Sequence, residues 1–87
     1  MSLNFPNPSR SYDAARRCVR FWGYDGVLEV SFFIEAAALL HIFPGVDQDE
    51  LGFLTAFDIN YDRIRGVAGK VYARRHRDAY ALMASDF

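Results

Sequence analysis

Asp25-Gly26 is the feature that most constrains this chain. That dipeptide is the favoured pair for a two-residue type I′ β-hairpin turn, which needs positive φ at both central positions. Apolar residues alternate on both sides of it. With the turn centred there, Tyr24 pairs with Val27, Phe21 with Val30 and Val19 with Phe32. Val19, Phe21, Leu28, Val30, Phe32 and Ile34 then form one fully apolar face. The opposite face carries Cys18, Arg20, Trp22, Tyr24, Val27, Glu29, Ser31 and Phe33. A slip of one residue would mix the two sets, so the pattern resists it.

The rest of the chain is read outward from the hairpin. Asn4 to Ser11 holds Pro6, Pro8, two Asn and two Ser, so residues 1–14 are expected as an extended N-terminal arm pinned by Phe5 or Tyr12. Glu35 to Phe43 predicts a short helix that stops at Pro44-Gly45, with Leu39, Leu40 and Phe43 buried. Asp47 is the expected N-cap of a second helix. Glu50 follows three residues on, and Val46 and Leu51 make a hydrophobic staple. Leu54, Phe57, Tyr61, Ile64, Ala68 and Val71 continue as one apolar seam. Charge segregates along it, with five acids and no base from Asp47 to Asp62, then six bases and no acid from Arg63 to Arg77. This polarity suits the helix macrodipole.

An unbroken helix from Gln48 to Arg75 would have 28 residues and a length of about 42 Å. A compact chain of this size has a radius of gyration of about 12 Å. The helix therefore bends or breaks, with Gly66 and Gly69 the expected places, or it protrudes toward a partner. Arg77 to Phe87 predicts a last strand with Tyr80, Leu82 and Ala84 on one face. The expected fold is α+β in one small domain, residues 1–87. Its order is β-β-α-α-β, with the helices on one face of an antiparallel sheet.

Fragments along the chain are shared with a known family. Phe5-Pro6-Asn7, Ser11-Tyr12-Asp13, Arg16-Arg17-Cys18-Val19-Arg20-Phe21-Trp22-Gly23 and Glu29-Val30-Ser31-Phe32-Phe33 resemble a family of short bacterial proteins catalogued as domain of unknown function 1488. Val71-Tyr72-Ala73-Arg74 and Ala84-Ser85-Asp86-Phe87 are similar to it as well. The resemblance implies a compact α+β fold. It implies no activity and assigns no site residue.

Composition narrows the function classes. A net charge of −1 on 87 residues excludes a uniformly basic or acidic molecule. One cysteine, Cys18, permits no internal disulfide and fits a reducing compartment. No basic segment leads into an apolar stretch at the N-terminus, and the longest uncharged run, Ala36 to Val46, has 11 residues. A membrane span takes about 20. A cytoplasmic protein without membrane contact is expected.

Chemistry-bearing motifs are sparse. Cys18 with His41 or His76 lacks the spacing of a nucleophile and base, and one Cys with two His falls short of a closed zinc site. Gly69-Lys70 resembles the end of a phosphate-binding loop, but Ile64 and Val71 stand where that motif needs Gly and Ser or Thr. Ile64 to Lys70 also resembles the GXXG loop of KH domains. Neither an enzymatic activity nor a cofactor is expected.

Two surfaces remain. Arg20, Trp22, Tyr24, Glu29 and Phe33 on the outer hairpin face form a candidate interaction face for a protein partner or a second copy. Large apolar patches mark such sites, unless the arm folds across and covers this one. Arg63, Lys70, Arg74, Arg75 and Arg77 are candidate nucleic-acid contacts at the basic end of the long helix. The plainer reading of that basic set is a solvated helix end.

Overall fold

Two eight-residue strands lie at the centre of the computed structural model, which describes residues 3–6, 9–75, 77 and 79–87. Strands β3 (Cys18–Asp25) and β4 (Leu28–Glu35) pair antiparallel. The turn sits one residue later than expected, on Gly26-Val27. Asp25 pairs with Leu28, Phe21 with Phe32 and Val19 with Ile34. Gly26 has φ +64° and Val27 stays at negative φ. Only the first central position is left-handed, the requirement of a type II′ turn. The register therefore differs from the expected one by two residues. A two-residue shift leaves every side chain on its own face, because the strand period is two. Val19, Phe21, Val30, Phe32 and Ile34 are buried as expected, whereas Leu28 at the tip is 52% exposed.

The arm does more than extend. Strand β1 (Leu3–Asn4) pairs with β3 near the turn, and strand β2 (Arg10–Asp13) pairs with the start of β3. From Leu3 to Arg10 the arm takes seven steps while β3 takes four, so the edge bulges. Pro6 sits in this excursion, where a residue without an N–H costs no ladder bond. A Cβ on Gly23 would come 2.7 Å from the Asn4 carbonyl oxygen and 2.9 Å from the Phe5 ring. The absent side chain lets Phe5 lie over the sheet. Four residues, 14–17, then turn the chain back. The Asp13 carboxylate accepts from the Arg16 N–H at 3.1 Å, and Arg17 takes a positive φ.

Helix α1 (Ala36–Ile42) starts directly after β4, its Ala36 N–H donating to the Arg17 carbonyl at 3.0 Å. Leu39 is buried and Phe43 packs on the core, but Leu40 faces solvent. Helix α2 (Glu50–Ile59) begins two residues later than Asp47 predicts. Asp49 is the N-cap, its carboxylate accepting from the Gly52 N–H at 2.7 Å. Val46 is buried but Leu51 is 75% exposed, so the expected staple does not form.

The long helix divides at Asn60 rather than at the glycines. The backbone N–H and the side-chain Nδ2 of Asn60 both donate to the Ala56 carbonyl, at 3.1 and 2.9 Å. Its backbone (φ −102°, ψ 17°) leaves the helical region. Helix α3 (Tyr61–Arg74) then runs unbroken through Gly66 and Gly69, so this segment is not the KH-type loop that its spacing resembles. Open space surrounds the Cβ positions of both glycines. The break resolves the excess length: the molecule measures 36 × 22 × 22 Å, with a radius of gyration of 12.2 Å.

Strand β5 (Ala79–Leu82) corrects the expectation of an all-antiparallel sheet. It lies parallel to β4, with Ser31 beside Ala79 and Ile34 beside Leu82. A parallel neighbour requires a crossover, and the three helices between β4 and β5 provide it. The strand is shorter than expected. Ala84 falls in a 3₁₀ turn, Ala84–Asp86, that packs on α1. The sheet order is β1-β3-β4-β5, with β2 also beside β3. The α+β fold thus holds, with all three helices on one face. Phe21, Phe32, Ile34, Leu39, Phe53, Phe57, Ile64 and Leu82 fill the layer between them. An Arg10–Asp58 ion pair at 2.9 Å ties β2 to α2 at the rim.

Candidate interaction face

Alternation along β3 and β4 sends Arg20, Trp22, Tyr24, Ser31 and Phe33 away from the helices. None of these side chains joins the core or packs against it, and each is half-buried. Three cross-strand rows order the face: Arg20 beside Phe33, Trp22 beside Ser31, Tyr24 beside Glu29. All five residues expected on this face are therefore brought together.

Their polar groups are knitted into a network. The Arg20 guanidinium lies 4.9 Å from the Trp22 ring centroid, donates to Ser31 Oγ at 3.1 Å and stands 3.8 Å from the Glu29 carboxylate. The Tyr24 hydroxyl donates to the other Glu29 oxygen at 3.3 Å. Arg16, absent from the expected set, holds its guanidinium 4.4 Å from the Phe33 ring centroid. It arrives there because the 14–17 turn folds it back over the sheet. The signal was Asp13 placed three residues before Arg16, the spacing of a side-chain-capped turn. Cations above aromatic faces contribute about 0.5–1 kcal/mol each at exposed sites.

The described residues of the arm do not cover this face. Phe5 packs on the opposite side against Phe21 and Phe32, at 5.9 and 6.0 Å between ring centroids. Tyr12 stacks on Phe53 of α2 at 5.7 Å. Both residues pin the arm as expected, but to the core side. Among the described residues, no element lies across Trp22, Tyr24 and Phe33.

Cys18 ends the same face, buried at 3% exposure in a row with Asp13 and Glu35. Burial raises its thiol pKa, and the Asp13 carboxylate adds to the shift. That environment disfavours the thiolate. His41 is exposed in the last turn of α1, and His76 lies outside the described residues. Among the described residues, no three His, Cys, Asp or Glu side chains are placed so that they could hold a metal ion.

The basic set divides. Arg74, Arg75 and Arg77 line one groove of about 360 Å³ with Val71, Ala79, Tyr80 and Ala81. The Tyr80 hydroxyl donates to the Arg75 carbonyl and accepts from the Arg77 N–H, fastening this corner. Lys70 stands exposed on α3. Arg63 is drawn away, its guanidinium 5.9 Å from the Phe87 ring. Arg65, between them, pairs with Asp62 over the Tyr61 ring.

Among the described residues, no helix is long and apolar enough to cross a membrane. No curated protein and no solved structure matches the chain. One family model does, over residues 3–83, a stretch that takes in all three α-helices and all five strands described above. The chain belongs to the family described as protein of unknown function (DUF1488).

Proposed function

We propose that this protein is a non-enzymatic interaction module that engages a protein through the outer face of β3 and β4. The observation that carries this reading is the half-buried set of Trp22, Tyr24 and Phe33 on the side of the sheet opposite the helices and the described part of the arm, outside the core. Antiparallel sheets with one solvated face normally present polar residues there. Trp, Tyr and Arg are the residues that concentrate binding energy at interfaces. Here two arginines already lie over two of the rings. Trp22 is the only tryptophan, so its emission reports on the face directly.

The test is co-purification of the tagged chain from lysate of its source cells, with Trp22→Ser and a nuclease-treated sample in parallel. A protein that is retained by the wild type, survives nuclease and is lost with Trp22→Ser supports the reading. In its purified complex, Trp22 emission shifts to the blue.

A second reading has one observation in its favour, the convergence of Arg74, Arg75 and Arg77 on a single groove. On that reading the basic corner contacts nucleic-acid phosphates. Salt-dependent binding that weakens with Arg74→Ala and Arg75→Ala, and is indifferent to Trp22→Ser, would replace the first reading with this one.

A further inference from the structure

The outer face is complementary to itself. Its centre is the Trp22–Ser31 row. On one side lies the Arg20–Phe33 row and on the other the Tyr24–Glu29 row. Consider a two-fold axis in the plane of contact, perpendicular to the strands and passing through the central row. It lays the Arg20–Phe33 row of one copy on the Tyr24–Glu29 row of the next. Each Arg20 then lies over a Tyr24 ring of the second copy, one strand spacing of about 4.8 Å from its Glu29 carboxylate and within reach of it, and each Phe33 lies over Glu29, around a Trp22 pair. Face-to-face sheets keep their strand directions within about 30°, so this antiparallel superposition is an ordinary packing. Such an isologous contact uses one patch on both partners and closes at two copies.

Charge argues for this occupant over a polyanion. Arg16 and Arg20 are interleaved with Asp13, Glu29 and Glu35 on the same side of the sheet. A phosphate backbone gains from uniform positive charge, whereas mixed signs suit a partner with the same mixture. Strands β3 and β4 run eight residues each, while β1 and β2 together span six and β5 four, so two copies bury roughly 800 Å² before side-chain relief is counted, the scale of a weak, concentration-dependent contact.

We propose that two copies of this chain associate face to face through Trp22, Tyr24 and Phe33, with Arg20 of each copy paired to Glu29 of the other. The proposal rests on the reading of this face as an interaction surface and names its occupant.

Sedimentation equilibrium from sub-micromolar to near-millimolar concentration tests it. The expected mass at high concentration is twice that of the 9.9 kDa chain. Arg20→Glu and Glu29→Arg each weaken association tenfold or more, because each sets like charges against one another across the axis. An equimolar mixture of the two variants associates again. The carboxylate introduced at position 20 of one copy then meets the guanidinium introduced at position 29 of the other, while the second Arg20–Glu29 pair is native. Circular dichroism confirms that both variants are folded, as expected for partly exposed side chains. Trp22→Ser abolishes association in the wild-type background.

A wild type that stays monomeric throughout overturns the proposal. So does a mixture that remains as weak as either variant alone, which would place the Arg20–Glu29 contact within one chain only. A monomeric chain that still retains a protein from lysate in a Trp22-dependent manner overturns self-association and leaves the interaction reading standing. A monomer that retains none overturns both.

Discussion

Arg17 has φ +50°, the one positive value among the described non-glycine residues. Left-handed backbone costs an L-residue about 1 kcal/mol or more. It is held there by the four-residue turn between β2 and β3 and by its carbonyl, which accepts the first N–H of α1. Arg17→Gly removes the steric cost and loosens the unfolded chain. The expected net effect is a gain of about 0.5 kcal/mol, read as a higher urea midpoint at unchanged slope. Tyr72 carries a different tension. Its hydroxyl donates to the Asp25 carboxylate at 2.7 Å, joining the end of α3 to the hairpin turn. That hydrogen bond, burial and the carboxylate's charge push its pKa from 10 up to about 12. The folded state therefore holds this proton more tightly than the unfolded state. The contribution is fully present below the unfolded pKa of 10 and is lost as pH rises through about 12. Stability measured from pH 9 to 12 is expected to fall less steeply in Tyr72→Phe than in the wild type. Neither feature was legible in the sequence. Arg17 is strained only because β2 pairs with β3, and Tyr72 meets Asp25 across 47 residues of chain.

Glycines separate the elements that depend on a close approach from those that do not. A Cβ on Gly52 would lie 1.9 Å from the Asp47 carbonyl oxygen, so the segment entering α2 folds tightly over its first turn. Gly52→Ala must displace backbone there and is expected to cost about 1–3 kcal/mol, the range of overpacking. Gly66 in α3 is exposed, with nothing within 4 Å of its Cβ position. Gly66→Ala is expected to stabilise by about 0.5–1 kcal/mol through helix propensity alone. Thermal or urea unfolding of the two variants beside the wild type checks the opposite signs. The same contrast explains where the element reading failed. Alternation identified both faces of the hairpin, because burial selects side-chain parity. It left the register two residues out, because Asp-Gly and Gly-Val turns satisfy the same parity. The apolar seam identified helix and not its interruption. Asn60 ends α2 by placing two donors on one carbonyl, and a hydrophobic period carries no trace of that competition. Phe53 and Ala56, both buried, fall outside the expected seam for the same reason. The break lets α2 and α3 present different faces to the sheet.

At the scale of the whole molecule, the sheet divides the chain into two unequal sides, and adjacent residues of β4 measure the difference. Phe32 is fully buried and stacks between Phe21 and Tyr80, at 5.2 and 5.4 Å between ring centroids. Phe33 points the other way and touches the Arg16 guanidinium. Stability for a chain of this length is expected at about 4–13 kcal/mol. Phe32→Ala is expected to remove about 3–5 kcal/mol, a large part of that total, and to leave a substantially unfolded population. Phe33→Ala is expected to remove about 1 kcal/mol or less, the scale of one cation–aromatic contact at an exposed site, measured where the chain is monomeric. Urea unfolding followed by circular dichroism decides between this and the alternative of equal losses, which would mean that the outer face is structural. The composition of that face was legible before its role was, since alternation alone set Arg20, Trp22, Tyr24, Glu29 and Phe33 together. Whether the arm would cover it was not, because Phe5 and Tyr12 suit either side of a sheet. The missing side chain at Gly23 is what admits Phe5 to the core side. Once Phe5 is there, the arm lengthens the sheet at its edge and the aromatic row stays open. An aromatic face that contributes little to folding is free to contribute to binding, and the unequal losses at Phe32 and Phe33 are the measurable form of that division.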